Sequence, residues 1–263
     1  MNSIKKMMLS GALGCLISGM AYADGSSPQP VKPYWQDIQV VAVNKEKPRS
    51  SFMSYADRET ALTSRFEKSP YYSLLNGTWK FFFVDSYKDL PQNITDPSVN
   101  TSSWDDITVP GNWEVQGHGV AIYTNHGYEF KPRNPQPPLL PEANPVGVYR
   151  RDIEIPASWD NRDIYLHIGG AKSGLYVYLN GKEVGYSEDS KNPAEFLINK
   201  YLQPGKNVLT LKIFRWSTGS YLECQDFWRM SGIERDVFLW SQPKANIQDF
   251  RVVSTLDDTY TNG

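Results

Sequence analysis

A chain of 263 residues with 40% hydrophobic composition has enough apolar material for one large or two small folded domains. Its formal charge of −2, with 27 basic and 29 acidic side chains, points away from nucleic acid and from anionic membrane surfaces as partners. The histidines His118, His126 and His167 are scattered, and Cys224 has no second thiolate near it in sequence, so zinc-type ligand spacing is absent.

The chain opens with Lys5 and Lys6, an apolar run from Met7 to about Met20, and Ala21-Tyr22-Ala23, the small-x-small pattern cut by a signal peptidase. Met1–Ala23 is therefore read as a secretory signal, with a periplasmic or extracellular destination. A membrane anchor fits less well, because the run is shorter than the ~20 apolar residues of a span and is broken by Ser10, Gly11, Gly14 and Ser18. Leu13-Gly14-Cys15 offers the alternative of a lipoprotein-type cut before Cys15. Removing the signal takes away two lysines and no acid, which moves the charge from −2 to −4 and leaves Cys224 as the single cysteine. No internal disulfide can then form.

Residues 24–72 read as an arm: a Ser/Pro-rich extended lead to Pro33, then a short helical piece at Asp57 to Arg65. This arm is also a candidate oligomer-interface element. From Ser73 the pattern turns to strands. Trp79, Phe81 and Phe83 alternate after the turn pair Asn76-Gly77; Tyr149, Arg151, Ile153 and Ile155 share a face; Ile164–Ile168 and Leu175–Leu179 follow. Asn180-Gly181, between Leu175–Leu179 and Lys182–Tyr186, is a two-residue hairpin signal, because a type I′ turn needs positive φ at both central positions. Val208–Phe214 and Asp236–Trp240 close the series. Short strands at this spacing with little helical periodicity predict an all-β, antiparallel jelly-roll β-sandwich over 73–241. A new strand pattern at Ile247 to Thr255 marks 242–263 as the start of another domain.

Polar and aromatic residues concentrate in three segments: Val109–Glu114, Ile122–Tyr128 and Arg215–Val237. Aromatic faces meeting C–H patches, together with amides and carboxylates taking hydroxyl hydrogen bonds, are the means by which proteins hold sugars. The same residues also build cores and turns. Trp79, Trp104 and Trp240 are assigned to the core; Trp113, Trp216 and Trp228 lean toward structural support. Arg215, Arg229 and Arg235 are read as bracing carboxylates, with Asp236 the local partner. No Gly-x-Ser-x-Gly elbow, phosphate loop or dinucleotide fingerprint occurs.

The segments Pro110-Gly-Asn-Trp113, Ile122-Tyr-Thr-Asn125, Glu142–Tyr149, Val184–Ser190 and above all Arg215–Val237 closely resemble the sugar-binding domain of family 2 β-galactosidases, collinearly from about Gln36 to the end. The resemblance implies a galactose-binding-domain-like jelly roll, then an immunoglobulin-like domain of which 242–263 is the first strand, then a (β/α)₈ barrel holding an acid/base and a nucleophile glutamate. It carries two substrate-binding positions onto this chain, Asn125 and Asp226, both reaching the galactosyl subsite. Asp226 also matches a sodium ligand, and a magnesium site belongs to the barrel. The implied partners are a β-galactoside, the remaining domains and a homo-oligomer. Asp226 can accept from two hydroxyls or share its oxygens with a hard cation, whereas Asn125 offers both donor and acceptor; a plain ion pair of Asp226 with Arg229 is the competing role. Glu223 reads as a structural acceptor. Retaining hydrolysis needs two carboxylates about 5–5.5 Å apart, and the chain contains no Asn-Glu dipeptide of the kind that carries the family's acid/base residue. The expectation is an N-terminal part of a β-galactosidase, inactive alone; the alternative is a free-standing carbohydrate-binding module.

Overall fold

The computed structural model describes residues 32–130 and 134–262; the signal reading of Met1–Ala23 lies outside them. One short α-helix, α1 (Arg58–Leu62), precedes the sandwich, its first turn capped by the Asp57 carboxylate accepting from Thr60 N. The strands of the first half are β1 (Ala42–Val43), β2 (Tyr72–Leu74), β3 (Gly77–Val84), β4 (Asp105–Val109), β5 (Gly111–Asn112), β6 (Ile122–Thr124), β7 (Val146–Glu154) and β8 (Arg162–Ile168). Those of the second half are β9 (Ala171–Lys172), β10 (Gly174–Leu179), β11 (Lys182–Ser187), β12 (Ala194–Leu197), β13 (Lys206–Phe214), β14 (Phe227–Arg229), β15 (Gly232–Ile233) and β16 (Val237–Pro243).

Two antiparallel sheets form the sandwich, ordered β1-β11-β10-β13-β7-β3-β4 and β12-β8-β16-β2. Alternation along the strands decides which side chains meet between them. Phe81, Tyr149, Val177 and Leu211 from the larger sheet pack against Leu166, Phe196 and Leu239 from the smaller one. The Asn180-Gly181 turn joins β10 to β11 as its chemistry demands, with φ of 53° and 78°.

Both outer faces are covered as well. Val146, Val148, Tyr176 and Phe214, on the opposite side of the larger sheet, receive Trp35 from the arm. Tyr165, Phe238 and Trp240 of the smaller sheet receive Met53. The arm thus wraps both sheets and adds β1 to the edge of the larger one. Segment 244–262 forms no strand: it has no ladder partner among the described residues, and Ile247, Val252 and Val253 stay exposed. In place of a ladder it has isolated bonds, such as Ser50 Oγ donating to Phe250 O at 2.7 Å and Tyr260 N donating to Asp257 O at 2.9 Å.

The β1 edge depends on one glycine. A β-carbon at Gly185 would lie 2.3 Å from the Val43 carbonyl and 2.7 Å from the Phe196 ring, so it meets the arm and the core together. Overpacking of this kind costs about 1–3 kcal/mol. Gly185→Ala is expected to lower the thermal midpoint by several degrees and to speed proteolytic cutting of the arm; an unchanged midpoint and cutting rate would remove the arm's close approach as a source of stability.

Candidate carbohydrate-facing site

Beside the sandwich lies a two-stranded ribbon of β6 and β14, with Phe227 opposite Thr124, Trp228 opposite Tyr123 and Arg229 opposite Ile122. Asn125 and Asp226 are the next residues beyond the Phe227–Thr124 pair, one on each strand, and both are exposed. Residues about 100 positions apart in sequence thereby share one end of the ribbon. Tyr123 donates its hydroxyl to Asp226 Oδ1 at 3.0 Å, which tethers the carboxylate through one of its two oxygens. As acceptor and as negative charge, Asp226 pushes the Tyr123 phenol above its ordinary value. The Tyr123 and Trp228 rings, 56% and 54% exposed, pair across the strands at 5.6 Å on the same side.

Strand alternation sends Phe227 and Arg229 the other way. Arg229 is buried and donates to Thr124 O at 3.3 Å and to Cys224 Sγ at 3.2 Å, with Glu129 Oε2 3.7 Å from its Nε. Its carboxylate neighbour is therefore Glu129, and the Asp226–Arg229 pairing is not formed. The Cys224 thiol donates to Gly127 O at 2.5 Å, tying the loop after Asn125 to the loop before Asp226. Arg215 braces both strands from behind: one Nη donates to Val120 O at 2.8 Å and to Arg229 O at 3.3 Å, while Glu114 lies 3.6 Å away. Burial pushes the Glu114 carboxyl up, against the backbone N–H of Ser231 and the charge of Arg215. Trp216 donates to Glu129 Oε1 at 2.9 Å.

Lys172 was not legible as part of this site. It is almost wholly buried with its Nζ 3.8 Å from Glu129, and burial lowers its pKa despite that carboxylate. Its one sequence signal is a lysine in the otherwise small and apolar run Gly169-Gly-Ala-Lys-Ser-Gly-Leu175. Glu223 accepts from Ser190 N at 2.7 Å and Ser190 Oγ at 2.6 Å, the structural role expected of it. The expected role of Asp236 is corrected: Asn76 Nδ2, arriving from the link between β2 and β3, takes Asp236 Oδ1 at 2.7 Å, and Arg235 donates to the carbonyls of Gly169 and Lys191 instead. Trp113 and Trp216 are buried as supports, whereas Trp228 is exposed. Among the described residues, no three His, Cys, Asp or Glu side chains gather as a metal cluster, and no helix is long and apolar enough to cross a membrane.

An antiparallel jelly-roll sandwich with a polar and aromatic ribbon at its flank is the class of domain that this architecture defines. A family model described as glycosyl hydrolases family 2, sugar binding domain, matches residues 72–243, and the chain belongs to that family. It is 41% identical over 234 residues to a β-galactosidase of Priestia megaterium, covering 88% of this chain and 23% of that protein. It is 40% identical over 225 residues to one from Actinobacillus pleuropneumoniae, covering 86% and 22%. The chain thus spans less than a quarter of the length of these relatives. A structure described as an uncultured Clostridium sp. β-glucuronidase shares the fold, with TM-score 0.52 and 24% identity over 71% of this chain and 31% of that one.

Proposed function

We propose that this chain is the N-terminal part of a secreted, retaining β-galactosidase and supplies one wall of its galactosyl subsite through Asn125 and Asp226. The observation that carries this is the ribbon, which sets an exposed amide residue and an exposed carboxylate residue at adjacent positions next to two exposed rings. Such a pair can donate to and accept from vicinal hydroxyls while the rings cover a C–H face. The similarity to β-galactosidases over 86–88% of the chain supports the choice of galactoside.

The fit to sodium is partial but chemically sound. Tyr123 occupies one oxygen of Asp226, and the other is a hard donor of the kind alkali and alkaline-earth cations take. Further ligands would come from residues outside this chain; once bound, the ion would supply a fixed positive charge for a sugar oxygen. The magnesium expectation belongs to the barrel region. This chain's own residues orient and exclude: Tyr123 holds the Asp226 carboxylate, Arg215 and Arg229 hold the ribbon, and Glu114, Glu129 and Glu223 are engaged in that support. The two carboxylates required for retention are assigned to the barrel. In this reading 73–241 is the sugar-facing jelly roll, 242–263 begins the immunoglobulin-like domain, and Met1–Ala23 is the signal.

The test is hydrolysis of a chromogenic β-galactoside by the purified chain alone and mixed with a barrel-containing fragment of a relative. Activity is expected only on mixing. Turnover by the chain alone would overturn the assignment of both catalytic carboxylates to the barrel, and a co-eluting but inactive mixture would count against the shared subsite.

A further inference from the structure

The arm leaves a groove of about 350 Å³ against the outer face of the smaller sheet, and none of its lining residues belongs to the β6–β14 ribbon. That volume is at the low end of small-molecule sites, about 300–1,000 Å³. Phe52 and Phe66 stand on the arm side, and Phe238 forms the sheet side with the His167 imidazole stacked on it at 4.1 Å. Glu195 is saturated: it accepts from Arg49 Nε and Nη2 at 2.9 and 3.0 Å, from Trp240 Nε1 at 3.0 Å, and meets His167 Nδ1 at 2.8 Å. Its job is to anchor, and the imidazole is left with Nε2 for a ligand.

Other groups lining the groove lack strong partners. Lys45 is half-buried with no carboxylate within ion-pair distance among the described residues, and burial lowers its pKa in spite of the Asp189 charge. Burial likewise raises Glu46, helped by the charges of Glu195 and Asp163. Asn192, exposed at the rim of the groove, gives its amide N–H groups to Asp189, at 3.0 and 3.1 Å, and presents its carbonyl oxygen there. Lys45 and Glu46, a partly buried donor and a partly buried acceptor, are costly until a ligand meets them.

The charges around the groove decide what that ligand is. Lys45, Lys47 and Arg49 are balanced by Glu46, Asp189 and Glu195. An anion would face the carboxylates, a cation would face the ammonium groups, and a hydrocarbon would leave Lys45 and Glu46 without partners. A neutral molecule rich in hydroxyls satisfies donors and acceptors at once and lays its C–H surface on the phenyl rings. We propose that this groove is an accessory saccharide site, binding a neutral pyranoside of one or two rings independently of Asp226.

The experiment is an NMR titration of the ¹⁵N-labelled 263-residue chain with lactose, cellobiose and maltose. At least one should give saturable shifts in the backbone of Lys45–Phe52 and in the Asn192 side-chain amide. Asn192→Ala is expected to weaken binding about five-fold, the loss of one neutral hydrogen bond, and Lys45→Met about ten-fold, the loss of a charged one. Asp226→Ala should leave the groove affinity unchanged, which separates this site from the galactosyl wall. The proposal is overturned if none of the three sugars saturates, if the shifts are confined to residues 122–128 and 224–229, or if both groove variants bind as the parent does. Galacturonate shifting the same resonances at lower concentration than the neutral sugars would overturn the choice of a neutral ligand.

Discussion

Asp226→Ala is expected to lower kcat/KM of the assembled enzyme, this chain combined with its missing domains, by about ten- to a hundred-fold while leaving the fold intact. A hydrogen bond to a charged group contributes about 1.5–3 kcal/mol net, and each 1.36 kcal/mol is a factor of ten in rate. The side chain is exposed and, among the described residues, its hydrogen-bonding neighbour is Tyr123, so the thermal midpoint should hardly move. Asp226→Asn keeps shape and one acceptor and should lose less; Tyr123→Phe, which frees the carboxylate without removing it, should lose least. Steady-state kinetics with a galactoside, beside thermal unfolding of each variant, checks the ranking. Equal losses across all three, or a loss that tracks stability, would reduce Asp226 to a structural residue.

The local chemistry of the strands was readable because each signal sits within a few residues. Asn180-Gly181 demands positive φ, and the Trp79-Lys80-Phe81 alternation demands one buried face; both demands are met. The site was readable only in its parts. Nothing local says that Tyr123 meets Asp226 or that Asn125 lies across from it, because the pairing of β6 with β14 joins segments about 100 residues apart. Family resemblance supplied the two residues, and the ladder supplies their adjacency.

Two side chains show how distant backbone decides what the local sequence leaves open. Trp113 stands in a polar segment yet is fully buried, because Gly147 on β7 leaves room for its ring; a β-carbon there would lie 2.6 Å from it. Asp236 follows an arginine in sequence, but β16 presents it to Asn76, which also accepts from Val237 N. The arm reads as an extended lead with a short helix, and its wrapping is invisible for the same reason. Arg49 and Glu195 are 146 residues apart and meet only when the sandwich is complete.

That meeting carries the largest expected stability effect. Glu195→Ala removes the common acceptor of Arg49, Trp240 and His167, leaving a guanidinium whose side chain is 11% exposed without its carboxylate. Breaking such a buried pair costs about 3–5 kcal/mol, which corresponds to a fall of roughly 6–20 °C for a domain of this size. The pH dependence identifies the cause. Burial works to raise the Glu195 carboxyl, but the hydrogen bonds from His167 and Arg49 and the Arg49 charge outweigh it and hold the group below its ordinary value. A carboxyl lowered on folding stabilises fully above the unfolded-chain value, about 4.3, and that stabilisation is lost as the pH falls through the lower folded-state value. Glu195→Gln, which keeps the shape and discards the charge, should therefore unfold at lower urea than the parent at pH 7 and converge with it in acid. Urea midpoints measured at pH 7 and at successively lower pH make the comparison. A gap that persists unchanged into acid would mean that packing under the arm, rather than the ionised carboxylate, holds Arg49 in place.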